Sequence, residues 1–298
     1  MYQFNWPKNL FFLYYLVLKP LSLLPWPLAY GVSNFLYLLL YKVFRYRVKV
    51  VDQNIRNSFP DYTDKEVLDL RRKNLKNFFD VMIEGFKLFS MSNEELHRRM
   101  VATNPEIVDK YLQENRSVII TGAHYNNWEF VANGINPWLK HQTCGIYHPF
   151  KNKSVERKML KKRGRTGMLL VSRKQVKEGF FDTYHKPLAT FFATDQSPTI
   201  AKKVYWTQFL NQETAVAFGA EKFARSQDAA VFYAYNERVK KGHYQMSFKL
   251  LCDNPNELPI GAITELHVRE LEKVILAEPT FWLWTHKRWK RKRKSEVT

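Results

Sequence analysis

The longest apolar stretch of the chain lies near the N-terminus. Between Leu10 and Tyr41 the only charged residue is Lys19. A helix needs about 20 mostly apolar residues to span a bilayer. Three prolines between positions 20 and 27 interrupt the stretch, so the pattern also fits a short re-entrant or interfacial helix. We expect a membrane-embedded helical segment here, and an unusually apolar core helix is the alternative.

A basic cluster follows this stretch and indicates its orientation. Lys42, Arg45, Arg47 and Lys49 lie on the C-terminal side, against Lys8 alone on the other. Positive residues favour the cytoplasmic side of a membrane, so the rest of the chain is expected in the cytoplasm. No small-residue cleavage site follows, which argues against a signal peptide. We therefore divide the chain into an anchor with a basic flank, residues 1–50, and a domain at residues 51–298.

Helical spacing dominates residues 51–100. Thr63 and Glu66 have the spacing of a capping box, which predicts a helix starting near Asp64. After position 105 short β-branched runs alternate with helical segments, beginning with a strand at residues 117–121 and a helix at 126–133. This alternation predicts an α/β fold, a central mixed sheet flanked by helices. Further strands are predicted at 144–147, 188–193, 229–235 and 244–250, and further helices at 106–114, 154–163, 215–226 and 264–277.

Composition narrows the class of protein. The 298 residues are 45% hydrophobic and 15% aromatic, enough for a packed core, and the formal net charge is +19. A mean hydropathy of −0.42 excludes a multi-span transporter. Two cysteines are too few for a disulfide framework. The positive charge implies an anionic partner, which by charge alone is nucleic acid, anionic lipid or an acidic substrate.

Much of this charge lies at the C-terminus. Residues 287–294 contain seven cations, close to Trp282, Trp284 and Trp289. Aromatic residues mixed with cations are typical of a membrane interface. A nucleic-acid contact or a solvated basic tail would give the same pattern. A second basic run, at residues 151–162, is best interpreted as a solvated helix face.

The strongest candidate for chemistry lies just after the first predicted strand. His124 stands in a turn next to a glycine-alanine pair, and Glu129 follows five positions later, at the start of the next helix. The imidazole ring is therefore expected to fold back onto the Glu129 carboxylate, a pairing suited to a general base. The alternative is a turn histidine bonded to a local carboxylate without a catalytic role. The spacing lacks the second histidine of a metalloprotease helix, and we predict no metal.

Several blocks of sequence, in order, resemble the late acyltransferases of lipid A biosynthesis, a branch of the lysophospholipid acyltransferase superfamily. The resemblance covers nearly the whole chain. Its blocks are the apolar N-terminus, residues 51–60 (VDQNIRNSFP), the His-x4-Glu motif at 124–129, residues 163–167 (RGRTG), residues 193–198 (ATDQSP) and residues 278–288 (EPTFWLWTHKR).

The resemblance implies a role for each matching residue. His124 and Glu129 would form the catalytic dyad. Arg163 or Arg165, together with Asp195, would bind substrate or the oxyanion. Of the two arginines Arg163 is favoured. The acid is Glu where many superfamily members have Asp. The block that contains Asp195 lacks a second aspartate found in better-known members. The alternative interpretation of Asp195 is therefore a strand-end aspartate that caps the next turn.

The implied reaction moves a fatty acyl chain from an acyl thioester to a hydroxyl of a lipid A precursor. The donor would be acyl-carrier protein or coenzyme A, the acceptor a glycolipid, and the location the cytoplasmic face of a bacterial inner membrane. No cofactor and no nucleic acid is expected. There is no Gly-x-Ser-x-Gly elbow and no histidine motif beside Cys144 or Cys252, which favours direct transfer. The alternatives are another lipid acceptor, a lysophospholipid or aminoacyl lipid, and a non-catalytic basic protein that binds membrane or nucleic acid.

Overall fold

A seven-stranded mixed sheet forms the centre of the computed structural model, which describes residues 17–150, 152–198 and 204–293. Its strands are β1 Met100–Ala102, β2 Val118–Gly122, β3 Gln142–Tyr147, β4 Leu169–Ser172, β5 Leu188–Ala193, β8 Ala230–Lys240 and β9 His243–Cys252, and β6 Val204–Phe209 and β7 Gln212–Ala217 form a separate two-stranded sheet. The strand order in the central sheet is β1-β9-β8-β2-β5-β3-β4, and neighbouring strands are parallel except β8 and β9. The predicted α/β class with a central mixed sheet is confirmed.

Helices cover the sheet. They are α1 Lys19–Leu23, α2 Trp26–Tyr37, α3 Val48–Ser58, α4 Asp64–Lys87, α5 Asn93–Arg99, α6 Glu106–Gln113, α7 Trp128–Gly134, α8 Lys153–Arg163, α9 Arg173–Lys177, α10 Phe180–Thr183, α11 Gly219–Ser226 and α12 Ala262–Ala277. Short 3₁₀ turns lie at Asn136–Trp138 and Pro279–Phe281. The central strand β2 is buried on both faces, with Val118, Ile119 and Ile120 fully inaccessible, as its β-branched sequence predicts.

The capping box before α4 forms as predicted. The Thr63 hydroxyl accepts the Glu66 backbone N–H, and the Glu66 carboxylate accepts the Thr63 N–H at 2.8 Å. The 24-residue α4 then carries the polar side chains that hold the N-terminal helices.

The N-terminal helices α1 and α2 bury polar side chains against the protein and expose apolar ones. Ser22 and Ser33 are fully buried against α4, whereas Leu28 and Phe35 are 58% and 62% exposed. Proline 25 separates the two helices. Within the described residues, no helix has both the length and the apolar character needed to cross a membrane, so the predicted membrane-embedded helix is not supported as a span.

One predicted helix, residues 215–226, is wrong in its first part. A hairpin of β6 Val204–Phe209 and β7 Gln212–Ala217 precedes α11. Leu210 and Asn211 join the strands with positive φ angles of 49° and 62°, the geometry of a type I′ turn. A leucine at such a position gives little sequence signal, which is why the hairpin was not predicted.

Candidate active site

Two parallel strands bring the first pair of candidate residues together. Gly122 of β2 is paired with Ala193 of β5, each the last residue of its strand. His124 and Asp195 each follow two residues later. Because the carboxyl ends of parallel strands lie at one edge of a sheet, equal offsets from a paired position place these side chains side by side.

Asp195 holds His124 through both of its carboxylate oxygens. Oδ1 lies 2.8 Å from His124 Nδ1, and Oδ2 accepts the His124 backbone N–H at 3.0 Å. Gln196 Nε2 lies 3.2 Å from His124 Nε2. These partners assign the proton of the neutral ring to Nδ1 and leave Nε2 as the acceptor nitrogen. The histidine side chain is 21% exposed and the aspartate side chain 2% exposed, so His124 is the solvent-accessible member of the pair.

The buried Asp195 remains ionised. Burial raises its pKa, but the charge of His124, the two hydrogen bonds from His124 and the one from Trp282 outweigh burial and lower the pKa below the usual value. A buried carboxylate held in this way fixes the imidazole orientation and stabilises the imidazolium that forms when Nε2 takes a proton.

The Glu129 carboxylate is paired with Arg163 and not with His124, the partner that the sequence predicts. Its Oε1 accepts Arg163 NH2 at 2.6 Å, and its side chain runs over Gly85 of α4. The predicted fold-back of His124 onto Glu129 is therefore wrong in this structure, because the ring is bonded to Asp195 and packs edge-on against Trp128 at 5.3 Å between ring centroids. Whether Glu129 is catalytic stays a prediction.

The Glu129 carboxylate lies in a cationic surrounding. Burial raises its pKa, but Arg163 and Lys162 lower it overall, and in return Glu129 raises the pKa of Arg163. Lys162 donates to the Gly85 carbonyl at 2.9 Å, and burial lowers its pKa to about 8. Lys162 was missed at the site because it falls in a basic run that is typical of a solvated helix face.

Arg165 does not join this cluster. Its NH1 donates to the carbonyls of Leu88 and Met91, at 3.2 and 2.6 Å, just beyond the C-terminus of α4. A cation at this place satisfies backbone carbonyls of the segment that follows the helix and is favoured by the negative end of the helix dipole. Arg165 thus contacts backbone and Arg163 is the arginine that reaches Glu129, and a substrate or oxyanion role for either stays a prediction.

Three residues that we did not predict, Asn126, Asn127 and Glu84, hold the turn after His124 in place. Asn126 has a left-handed φ of 52°, and its amide donates to the Asn236 carbonyl at 2.7 Å. Asn127 caps α7 by accepting the Phe130 N–H and donates to the buried Glu84 at 2.7 Å. Asparagine tolerates left-handed backbone and caps helices, which is the only sequence signal these residues carry.

Two of the three C-terminal tryptophans, Trp282 and Trp284, are buried. Trp282 is 3% exposed and Trp284 is fully buried, so the predicted interfacial position is wrong for both. Trp282 Nε1 donates to Asp195 Oδ2 at 3.1 Å. Composition alone does not distinguish a buried tryptophan from an interfacial one, because both environments accept its large apolar ring.

The cysteines are poor nucleophiles where the structure places them. Both are buried, and burial raises the pKa of Cys144 to about 12 and that of Cys252 above its usual value. Across the described parts of the chain, no group of three or more His, Cys, Asp or Glu side chains is placed to hold a metal ion.

A histidine held by a buried carboxylate at the carboxyl end of a mixed sheet, with an arginine-glutamate pair close by, defines an α/β protein equipped for general-base chemistry. The family model for bacterial lipid A biosynthesis acyltransferases matches residues 2–291, so the chain belongs to that family. It is also similar to the lipid A biosynthesis lauroyltransferase of Escherichia coli (strain K12), with 22% identity over 270 residues, 90% of this chain and 87% of that protein. The resemblance drawn from the sequence motifs is confirmed.

Proposed function

We propose that this protein is an O-acyltransferase that moves a fatty acyl chain from an acyl thioester to a hydroxyl of a lipid A precursor. Family membership supports the acyltransferase class and the lipid A acceptor. The observation that carries the mechanism is the assignment of His124, whose Nδ1 is held by Asp195 and whose Nε2 is left to accept a proton. Acyl-carrier protein and coenzyme A both present the required thioester.

In the proposed reaction His124 Nε2 removes the acceptor hydroxyl proton as the oxygen attacks the thioester carbonyl. The tetrahedral intermediate then expels the donor thiolate, which takes the proton from the imidazolium. Asp195 stabilises the imidazolium throughout. A positioned general base contributes about 10²- to 10⁴-fold in rate. Arg163, held by Glu129, supplies a guanidinium for the oxyanion or for a substrate phosphate.

The exposed apolar side chains of the N-terminal helices support a membrane-surface location. Ser22 and Ser33 are buried against α4, where Ser33 donates to Asp80 at 2.5 Å, and Leu23, Leu28 and Phe35 are exposed. Exposed apolar side chains on one face are stabilised by a lipid interface. The exposed Lys42 and Arg45 next to this face would contact anionic headgroups, and we place the protein on the cytoplasmic face of a bacterial inner membrane.

Mass spectrometry of lipid A tests the acceptor. Cells that lack the protein should lose one acyl chain from lipid A, the wild-type gene should restore it, and His124→Ala should not. An unchanged lipid A with altered phospholipids would favour a lysophospholipid or aminoacyl acceptor. Full acyl transfer by folded His124→Ala protein would refute the general-base role, and unchanged lipids together with salt-dependent DNA binding would favour the non-catalytic alternative.

Vesicle sedimentation tests the location separately. We expect the full-length protein to sediment with vesicles that contain anionic phospholipid, and Leu28→Ser with Phe35→Ser to reduce the bound fraction. Ile260→Ser is the matched control, because Ile260 is 82% exposed but lies outside the N-terminal helices. Equal loss of binding in the control, or none in the double variant, would argue against docking through α2.

A further inference from the structure

The segment 279–289, which we name the terminal segment, contacts the turns that carry both members of the His-Asp pair. On the histidine side, Tyr125 and Trp282 form an antiparallel bridge, and the Asn126 N–H donates to the Phe281 carbonyl at 3.0 Å. On the aspartate side, Trp282 Nε1 donates to Asp195 Oδ2 at 3.1 Å. One residue of the terminal segment, Trp282, therefore takes part in both contacts.

The terminal segment is itself fixed to the helical layer. Asn74 of α4 donates to the carbonyls of Thr280 and Trp282, at 2.8 and 2.7 Å. Asn54 of α3 donates in the same way to the carbonyls of Trp284 and His286, at 2.8 and 2.9 Å. These two buried side chains each satisfy two carbonyls of an irregular backbone, which gives the segment one defined position.

Two further residues of the terminal segment, His286 and Arg288, lie close to Asp195. His286 Nε2 accepts the Ser197 backbone N–H at 3.1 Å, and burial lowers the pKa of His286 to about 4, which keeps the ring neutral as that bond requires. Arg288 is buried, and its NH1 donates to the Ala215 carbonyl at 2.8 Å. Burial lowers the pKa of Arg288 to about 10 and the Asp195 charge raises it, so this cation remains charged near the carboxylate.

We propose that Trp282 is a positioning residue that orients the Asp195 carboxylate and, through it, the His124 imidazole. The catalytic meaning of this orientation rests on the proposed function above. Oδ2 accepts two N–H groups, from His124 and Trp282, which directs Oδ1 at His124 Nδ1. Among the hydrogen bonds between described residues, the indole N–H is the one bond to Asp195 that does not come from His124 itself.

Kinetics of Trp282→Phe in the full-length protein tests the proposal, with Trp284→Phe as the matched control. Trp284 is equally buried in the same segment, but its indole N–H donates to the Pro279 carbonyl and not to Asp195. We expect Trp282→Phe to lower kcat about 10- to 100-fold with KM unchanged, since one hydrogen bond to a charged group is lost. Trp284→Phe should keep kcat within about threefold of wild type.

The pH profile gives a readout that general destabilisation would not move. The charged and titratable groups that face Asp195 are His124, His286, Arg288 and Tyr233. Loss of the indole N–H leaves more uncompensated negative charge on the Asp195 carboxylate, which stabilises the imidazolium of His124, so the acid limb of kcat/KM should shift to higher pH in Trp282→Phe only. The same shift in Trp284→Phe, or none in either variant, would overturn the proposal.

A measurement that needs no substrate separates this proposal from the proposed function. In protein labelled with ¹⁵N-histidine, the His124 signals, assigned by their loss in His124→Ala, should report the Nδ1–H tautomer in wild type. In Trp282→Phe the Nδ1 proton should exchange faster or the tautomers should mix. If wild type transfers no acyl chain, the proposed function fails and these spectra still decide the role of Trp282. Unchanged His124 signals in Trp282→Phe would refute it.

Discussion

Replacing Asp195 with asparagine tests which carboxylate serves His124. The carboxylate accepts three N–H donors: the His124 backbone, His124 Nδ1 and Trp282 Nε1. An asparagine of nearly the same shape has one acceptor oxygen and directs an NH₂ group at the remaining donors. The repulsion between the asparagine NH₂ group and the Nδ1–H is relieved when the imidazole proton moves to Nε2. Nε2 then can no longer accept the substrate proton.

The magnitude follows from these contacts. A hydrogen bond to a charged group contributes about 1.5–3 kcal/mol, and a barrier change of about 1.4 kcal/mol is tenfold in rate. Loss of the imidazolium partner alone therefore lowers kcat about 10- to 150-fold. A tautomer switch extends the loss to about 10⁴-fold, as in serine proteases with the equivalent change. We expect Asp195→Asn to lower kcat by about 10²- to 10⁴-fold with little change in KM.

The comparison variant is Glu129→Gln, measured by single-turnover acyl transfer and by the His124 NMR signals. Glu129 neutralises Arg163 and Lys162, so its loss leaves buried cations uncompensated. The change should cost about 3 kcal/mol of unfolding free energy. This is the lower end of the range for a buried pair, because about a fifth of each side chain in the Glu129–Arg163 pair is exposed. Activity should fall in this variant too, but the His124 tautomer should persist. The reverse pattern, with the tautomer lost in Glu129→Gln and kept in Asp195→Asn, would refute the assignment of Asp195 to His124.

Three further predictions concern stability, each measured by urea unfolding. Because the folded pKa of Asp195 is lowered, its stabilising contribution is present above the unfolded pKa, about 3.9, and is lost as pH falls through the folded value. The gap between wild type and Asp195→Asn should therefore narrow steadily as pH falls below about 5. Burial raises the pKa of Glu84, so its contribution is present below the unfolded pKa, about 4.3, and is lost as pH rises through the folded value. Glu84→Gln should therefore gain stability relative to wild type as pH rises above about 4.3, and a constant difference would contradict this. Asn126→Ala should cost about 1–3 kcal/mol through the lost bond to Asn236 and the left-handed φ, with a smaller cost for Asn126→Gly.

Elements with local sequence signals were predictable, and long-range pairing was not. The capping box at Thr63 starts α4 as predicted, and the β-branched run before His124 forms β2. The partner of His124 depends on the register between β2 and β5, whose paired residues Gly122 and Ala193 lie 71 positions apart. The sequence pattern locates β2 and β5 but carries no information on which strands are neighbours. The sequence thus predicted Asp195 as a site residue by resemblance and missed its contact with His124.

The structure also changes how the net charge of +19 bears on function. Arg288 is buried in the terminal segment, and Lys162 and Arg165 bind backbone carbonyls at the C-terminal part of α4. These cations are bound internally, although their sequence context is that of solvated basic runs. Exposed cations next to outward apolar side chains, such as Lys42 beside Val43 and Phe44, are available to an anionic surface. Positive charge adjoining apolar area favours anionic lipid over nucleic acid, because a nucleic-acid contact gains nothing from exposed leucine and phenylalanine side chains.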